Sequence, residues 1–346
     1  MAAGISVKQL LGVKMTKFDW QATEGAPTNY PMTIIGGSLG YHDDSGSLYV
    51  PNKATLDNGW GLGRSSHIVG PDLKPLPKNL TITFFSYTEN QFYQGRFDFP
   101  YDKILKLFQE GYYSPPDNDR ETYNALVVGV APGGAVAVWA KGAMRTTEVF
   151  FGQAEKIEGS WSSLTSATHI SREQYVRETV EESVAALTPE GFKMRDPEKN
   201  RAALEALRKN GIPIGLWNTY RTRYAWQPLF TRMEIADGLI YHIRYFNGEQ
   251  DYLYYPLDQA IATSTRPVPS ELYFEWKRPG RGLVIKLFFN EAEILAAFKK
   301  LGANHQPLQL ELRLDVADGK NAFTLWLRND KEAIELEHTE MKTYNA

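Results

Sequence analysis

The chain of 346 residues contains no cysteine. Disulfide bonds, thiolate metal sites and cysteine nucleophiles are therefore excluded. The six histidines show no His-x-x-x-His spacing, with which one face of a helix would bind zinc. We accordingly expect neither a metal ion nor another cofactor.

Long apolar runs and concentrated positive charge are also missing. No stretch reaches the roughly 18 apolar residues of a membrane span, and residues 1–18 lack the apolar segment of a signal peptide. The net charge is −3 and no basic cluster stands out, which argues against nucleic acid as a partner. As written, the chain is expected in the cytoplasm; removal of a leader would instead imply a periplasmic or lipid-anchored location.

Motifs of several enzyme classes are absent too. The sequence has no P-loop and no Ser-x-x-Lys motif. The Gly-x-Gly at residues 59–61 is not followed by a helical pattern, as a nucleotide-binding loop would require. We therefore expect a protein that is not an enzyme, with a hydrolase of unfamiliar site as an alternative.

What the sequence does contain is a long internal repeat. Its two copies share one order of elements: strand, strand, short helix, strand, Gly turn and strand. The first copy comprises Leu80–Phe85, Gly95–Gly111 and Val127–Trp139, and the second comprises Leu272–Lys277, Val284–Gly302 and Leu312–Trp326. In addition, SLGYH at residues 38–42 is echoed by GLIYH at residues 238–242, which predicts that His42 and His242 are equivalent.

The repeat predicts an α+β fold of two related β-rich domains, each with antiparallel sheets and one short helix. The first domain is expected at residues 15–155, and the second, a diverged copy of the first, at residues 212–346. The turn Pro132-Gly133-Gly134 predicts a hairpin in the first domain, and Asp318-Gly319 predicts one in the second.

Residues 156–211 differ in composition and predict a helical linker. Ser171 followed by Gln174 is a capping box, and it opens an amphipathic pattern that runs to Leu187. A second helical pattern begins at Asp196 with Pro197 in the first turn and ends at Gly211. A flexible tether would be rich in Gly and Ser, so we expect these helices to dock on a domain.

Aromatic residues make up 13% of the chain. Tyr and Trp are enriched at interfaces, and together with Arg they supply most binding hot spots. The sequence candidates for partner contacts, drawn from loops and strand starts, are Trp60, Arg64, Tyr112, Tyr113, Arg221, Arg223, Tyr224 and Trp226.

The first domain, from Trp20 to about Glu155, resembles a family of uncharacterised bacterial domains, many of them described as lipoproteins. The resemblance rests on motifs spread along that domain: Asp19-Trp20, Ala-Pro-x-x-Tyr-Pro at 26–31, Asn-Gly-Trp-Gly at 58–61, FYQGRFDFP at 92–100, LFQEG at 107–111, Tyr123-Asn124, and VGVAPGGAVAVW from Val128 with Glu148 beyond it. The lipobox cysteine of such lipoproteins is missing here.

Members of this family are sometimes encoded beside type VI secretion effectors, including lipases. The resemblance therefore implies an immunity protein that binds a cognate bacterial toxin and occludes its active site with loops or an inter-domain groove. Two alternatives are a carbohydrate or small-ligand binding module with aromatic platforms, and a structural component of an envelope or secretion machine.

Overall fold

A computed structural model describes residues 15–114, 119–165, 169–184, 197–231, 239–255, 264–278, 281–317 and 320–345. These residues form two compact units: unit 1 lies within Met1–Tyr112 and Glu121–Trp217, and unit 2 lies within Tyr113–Arg120 and Asn218–Ala346. Both predicted linker helices belong to unit 1. The domain boundaries expected from the sequence stay a prediction.

Strands dominate both units, and helices are few. The elements up to residue 219 are β1 (Lys17–Phe18), β2 (Gln21–Gly25), β3 (Met32–Tyr41), β4 (Ser47–Tyr49), β5 (Thr55–Leu56), β6 (Lys74–Pro75), β7 (Pro77–Ser86), β8 (Gln91–Asp98), α1 (Tyr101–Glu110), β9 (Tyr112–Ser114), β10 (Asp119–Glu121), β11 (Ala125–Ala131), β12 (Ala135–Lys141), β13 (Thr146–Gln153), β14 (Glu155–Ile157), α2 (Arg172–Val184), α3 (Pro197–Asn210) and α4 (Leu216–Thr219).

The remaining elements follow the same alternation of strands with a single longer helix. They are β15 (Arg223–Thr231), β16 (Leu239–Tyr245), β17 (Gln250–Tyr255), β18 (Thr265–Pro267), β19 (Pro269–Arg278), β20 (Arg281–Phe288), α5 (Glu291–Leu301), β21 (Leu308–Ala317), β22 (Lys320–Arg328), β23 (Ala333–Glu335) and β24 (Glu340–Asn345). Among the described residues, no helix combines the length and apolarity needed to cross a membrane.

The two larger sheets of unit 1 lie around one core. The first has the order β14-β8-β7-β3-β4, and alternate residues of β7, namely Leu80, Ile82 and Phe84, point into the core. The second runs β2-β11-β12-β13. All seven residues of β11 are buried, which explains its continuous apolar sequence. The predicted hairpin is confirmed: β11 and β12 pair antiparallel on either side of Pro132–Gly134.

Helix α2 is docked on unit 1, as its apolar stripe predicts. Its cap is confirmed, since the Gln174 backbone N–H donates to Ser171 Oγ at 3.2 Å. Val176 packs with Phe85 and Phe92 on the outer face of the first sheet. Arg172, at the first turn, lies over both of those rings, at 5.4 and 5.2 Å from their centroids. The helix therefore covers sheet surface that would otherwise be apolar and exposed.

Unit 2 also contains two sheets around one core. The first has the order β17-β16-β19-β20-β24 with all neighbours antiparallel, and the second has the order β18-β15-β21-β22-β23. Helix α5 begins at Asn290, whose side chain accepts from the Glu293 backbone N–H at 3.1 Å, and it buries Ile294 and Phe298. The predicted turn at 318–319 lies outside the described residues.

Each unit contains a buried tryptophan, and the two tryptophans have the same kinds of partner. Trp20 Nε1 donates to the Pro75 carbonyl at 3.2 Å, and Lys74 Nζ lies 5.8 Å from its ring centroid. In unit 2, Trp226 Nε1 donates to the Pro267 carbonyl at 2.9 Å, and a cationic side chain again lies 5.8 Å from the ring. Burial of the indole N–H is therefore compensated by a hydrogen bond in both units.

Two sequence expectations need correction. Each unit contains a parallel pair, β2 with β11 and β15 with β21, where only antiparallel pairing was expected. The histidine equivalence is also wrong, because Tyr41 lies opposite Pro77 whereas Tyr241 lies opposite Phe274. The two Tyr-His pairs therefore occupy different positions in their sheets.

Packing over β11 generates a first prediction. A Cβ added at Gly129 would lie 2.5 Å from the Trp139 ring, so Gly129→Ala should reduce the free energy of unfolding of unit 1 by about 1–3 kcal/mol. Gly36→Ala on β3 is the matched control, since nothing lies within 4 Å of its Cβ position. Urea unfolding followed by Trp fluorescence measures both variants. Equal midpoints for the two would show that Gly129 is not needed for this packing.

Candidate functional site

A long irregular segment, residues 57–73, connects β5 to β6 in unit 1 and is called here the 57–73 loop. It contains Trp60 and Arg64, two of the residues predicted to contact a partner. Its base and its tip have opposite character: the base is bonded to the sheet, and the tip projects apolar side chains.

The base of the loop lies along β2, the edge strand of its sheet within unit 1. The Gly59 backbone N–H donates to the Ala26 carbonyl at 2.9 Å, and the Arg64 N–H donates to the Glu24 carbonyl at 2.8 Å. Ser65 Oγ donates to the Glu24 carboxylate at 2.7 Å. These bonds satisfy the backbone groups that an exposed edge strand would leave unpaired.

The ring of Trp60 packs against the sheet and holds the base of the loop there. Its ring meets Trp139 edge to face with centroids 4.8 Å apart, and it lies 6.3 Å from Trp217. Aromatic pairs of this kind contribute about 0.5–1.5 kcal/mol beyond the area that they bury. The contact is possible because Gly129 leaves open the space beside both rings. Trp60 is therefore a half-buried anchor of the loop.

Further side-chain bonds hold the loop at Asp57, Arg64 and His67. Ser183 of α2 donates to Asp57 Oδ2 at 2.6 Å, which ties the start of the loop to the docked helix. Farther along, His67 Nδ1 and Tyr49 Oη lie 2.7 Å apart. The guanidinium of Arg64 donates to the Thr55 carbonyl, so Arg64 also supports the loop's own structure.

The tip of the loop exposes apolar side chains. Ile68 is 93% exposed, Leu73 55% and Val69 39%. Gly70, with φ of 77°, and Pro71 follow at once, so the backbone that carries the tip is turned and stiffened. Folding gains nothing from a fully exposed Ile on an ordered loop, and a group of neighbouring exposed apolar side chains is a candidate for interaction.

The base of the loop lies near several charged groups, whereas its tip has few. Glu24 is buried beneath it, and this burial raises the pKa of its carboxyl; the Ser65 hydrogen bond and the charges of His67 and Arg64 oppose the shift. From residue 65 to residue 73 the sequence contains Asp72 and neither Lys nor Arg. The tip is thus apolar with little charge around it.

Two of the predicted site residues prove to be core residues. Tyr112 is 3% exposed, and its hydroxyl donates to Glu121 Oε2 at 2.9 Å while accepting from the Met144 N–H. Trp226 is fully buried against Phe298 in unit 2. Both are corrected to structural residues, because neither side chain reaches the surface.

The other four predicted residues belong to unit 2. Tyr113 is exposed, as is Arg221. Arg223 forms an ion pair with Glu249 at 2.6 Å. Tyr224 is half-buried against Phe298, with centroids 5.4 Å apart. Arg223 and Tyr224 lie on β15 together with the buried Trp226, and Tyr113 follows Tyr112 on β9; of the eight candidates, Trp60 and Arg64 are the two in the 57–73 loop.

The residues missed from the sequence are Ile68, Val69 and Leu73. A signal was present: an Ile-Val pair immediately before Gly-Pro, in a stretch otherwise composed of turn-forming and polar residues. Apolar pairs usually mark a strand, but Gly-Pro punctuates a loop, and the two together indicate apolar side chains outside regular structure.

One sequence pattern of the described residues is typical of catalysis. Residues 36–40 read Gly-x-Ser-x-Gly, the pattern of a hydrolase nucleophile on a strand-to-helix turn. Ser38 instead lies within strand β3, paired opposite Thr81 and Tyr49, so this is not such a turn. Nor do three or more His, Asp or Glu side chains of the described part converge where they would hold a metal ion.

Fold and loop together define a β-rich protein that displays a fixed apolar loop. A family model described as "Protein of unknown function (DUF2931)" matches residues 7–215, which is more than half of the chain, and the chain belongs to this family. The expected membership of an uncharacterised family is thereby confirmed, and the match includes the 57–73 loop and helices α2 and α3. No curated protein and no solved structure matches the chain.

The buried carboxyl beneath the loop gives a second prediction. Since the folded-state pKa of Glu24 is raised, the folded state retains its proton to higher pH than the unfolded state, and stability is lost as pH rises above the unfolded pKa. Glu24→Gln removes this loss and keeps an acceptor for Ser65. The free energy of unfolding of the variant should improve relative to the native chain between pH 4 and pH 7.

Urea unfolding of both proteins at pH 4 and pH 7 measures this double difference, in which titrations common to the two proteins cancel. A difference that stays constant across the two pH values, or that moves in favour of the native chain, would contradict the assignment.

Proposed function

We propose that this chain is a non-enzymatic binding protein and that the tip of the 57–73 loop inserts into a partner protein. The observation that carries the proposal is Ile68, 93% exposed on a loop whose base is held by Trp60 and by hydrogen bonds to β2. A side chain displayed on a fixed support resembles the anchor of a protein inhibitor, which fills a pocket on its target.

Energetics favour this use of the loop. Full burial of an Ile, Leu or Val side chain contributes about 1.5–3 kcal/mol, and the tip offers one of each. Because the base is already ordered, association would not bear the cost of immobilising the loop. An apolar tip on a fixed base therefore combines available binding energy with a small entropic loss.

The composition of the tip favours a protein over a membrane surface as the partner. Segments that bind membrane interfaces are usually rich in Lys and Arg, which contact anionic lipids. The segment 65–73 contains an acidic residue, Asp72, and no Lys or Arg. A pocket on a protein surface suits such a tip better than a lipid headgroup layer.

The partner that we propose is a secreted antibacterial effector. Support comes from the resemblance of residues 20–155 to domains encoded beside type VI effectors, including lipases. Under this proposal the chain is an immunity protein: Ile68 and its neighbours enter the mouth of the toxin's active site, and the body of unit 1 blocks access to substrate.

We further propose that unit 2 is a diverged copy of unit 1, as the repeat predicts. The support is a shared register: Leu80 lies opposite Phe97, and their sequence equivalents Leu272 and Leu287 lie opposite each other. In each unit an early strand, β2 or β15, pairs parallel with a later one, and both units show a register irregularity next to a tyrosine that faces a proline. In unit 1 the connection from β4 to β6 comprises residues 50–73, whereas in unit 2 the connection from β17 to β18 comprises only residues 256–264. The long loop is therefore a feature of unit 1.

The third prediction tests the loop. The chain is co-expressed with the product of the adjacent gene, and growth and co-purification are scored together. Ile68→Asp should weaken the complex by about 1–3 kcal/mol, because it replaces an inserted apolar group with a charge, and it should leave the free energy of unfolding within about 0.5 kcal/mol of the native value.

Ile214→Asp is the matched control, since Ile214 is also exposed, at 58%, and lies outside the loop. Retained binding by this variant, together with loss of binding by Ile68→Asp, supports insertion of the tip. Equal binding by both variants would remove the loop from the interface. If the product of the adjacent gene is not toxic and does not co-purify with the native chain, the immunity proposal itself is overturned.

A further inference from the structure

A groove of about 320 Å³ lies on the outer face of the first sheet of unit 2. Strand alternation creates this face: Ile243, Leu272 and Ile285 point into the core, so the residues beside them in sequence point outward. The groove is lined by His242, Arg244, Glu271, Leu272, Tyr273, Lys286, Leu287 and Phe288. It is far richer in charged groups than the opposite face of the same sheet.

The outward side chains form two rows across three strands. His242 on β16 lies opposite Tyr273 on β19, which lies opposite Lys286 on β20. In the neighbouring row, Arg244 lies opposite Glu271, which lies opposite Phe288. Directly opposed residues are close enough to act on one ligand together, so a bound molecule would meet a guanidinium, an imidazole, an ammonium, two aromatic rings and the carboxylate of Glu271.

Two nitrogen atoms of the groove are buried without a hydrogen-bond partner among the described residues: Arg244 Nε and His242 Nε2. The guanidinium does approach Glu271, but Nη1 and Oε2 are 3.5 Å apart, which is long for a charged hydrogen bond. A buried donor left unpaired costs about 1–3 kcal/mol. Because each of these two atoms exposes less than 1 Å², a ligand would meet the Nη groups of Arg244, whose side chain is 42% exposed.

The lysine of the groove is held in an unusual way. Lys286 Nζ lies 5.4 Å from the ring centroid of Tyr273 and 5.6 Å from that of Tyr344. No described carboxylate forms an ion pair with it, whereas Lys342 on the adjacent strand pairs with Glu340 at 3.2 Å. Lys286 thus keeps a positive charge at the groove that the described protein groups do not neutralise.

We propose that this groove binds the carboxylate of a small organic acid. The guanidinium of Arg244 binds the carboxylate oxygens beside the ring of His242, Lys286 supplies the neutralising charge, and the apolar body of the acid lies against Phe288 and Tyr273. The site is in unit 2, and its argument is independent of the 57–73 loop and of the partner proposed for it.

The size and charge of the groove narrow the ligand. A volume of about 320 Å³ is at the lower end for ligand sites, which suits a molecule of few atoms. Glu271 at the groove wall would repel a doubly charged anion such as phosphate more than a carboxylate monoanion. Burial, followed by the neighbouring Arg244, lowers the pKa of His242 to about 4, so at neutral pH its ring binds as a neutral group.

Benzoate is the probe, with benzamide as its uncharged isostere and inorganic phosphate as a second anion. Calorimetric titration of the full chain at pH 7 should detect benzoate and give binding of benzamide at least about tenfold weaker, as expected when a charge-assisted hydrogen bond is lost. Equal binding of benzoate and benzamide, or phosphate binding as tight as benzoate, would overturn the proposal of a carboxylate site.

Variants locate the site. Arg244→Gln should weaken benzoate binding by about tenfold or more, and Lys286→Gln by about three- to fivefold. Lys300→Gln is the matched control, because Lys300 lies on helix α5, pairs with Glu332 at 3.1 Å and does not line the groove; it should bind as the native chain does. An unchanged affinity in Arg244→Gln, or a loss in Lys300→Gln equal to that in Lys286→Gln, would overturn the assignment; the benzoate and benzamide comparison holds even if a variant fails to fold.

Discussion

The contact on which the first unit's exposed loop depends is that of Trp60 with Trp139 above Gly129. The missing Cβ at Gly129 admits both indoles, and the Trp60 ring then fixes the base of the 57–73 loop over the sheet. This contact explains two sequence motifs at once, since Asn-Gly-Trp-Gly at residues 58–61 and Val-Gly-Val-Ala at residues 128–131 supply its parts. Without it, the apolar tip would be carried on a segment free to collapse onto the protein's own surface, where an exposed Ile would be buried again.

Much of the fold follows from local patterns in the sequence. The cap of α2 at Ser171, the hairpin at Pro132–Gly134 and the helix that buries Ile294 all depend on neighbouring residues, and all are found where the patterns place them. Pairing between distant segments is different. The parallel partner of β2 lies far along the chain, in β11, and no local signal specifies it. Alternation likewise fixes which face a residue occupies but leaves shifts by an even number of residues open, which is why Tyr241 was matched to Tyr41 although Tyr245 has the corresponding proline partner.

The candidate site was less predictable, because the residue types that form hot spots also fill cores. Trp226 and Tyr112 were selected as aromatic residues, and both are buried with their polar atoms bonded inside the protein. Ile68 was passed over for the opposite reason, since an apolar side chain in a sequence is normally assigned to the interior. Tertiary packing determines which side chains are exposed. Selecting residues by type therefore identifies the 57–73 loop through Trp60 but misses Ile68, Val69 and Leu73, which the same loop exposes.

The first sheets of the two units carry different surfaces. On the first sheet of unit 1, Phe85 and Phe92 are covered by α2, and the Arg172 side chain over those rings belongs to the covering helix. On the first sheet of unit 2, the cationic groups lie on the strands themselves and face a groove. The buried faces of both sheets are apolar and interchangeable in character, because core packing constrains them alike. Outward positions carry no such constraint, and it is at these positions and in the loops that the units differ. Function in this protein is therefore to be sought in the outward side chains and loops of each unit. The fold permits these surface features but does not determine them.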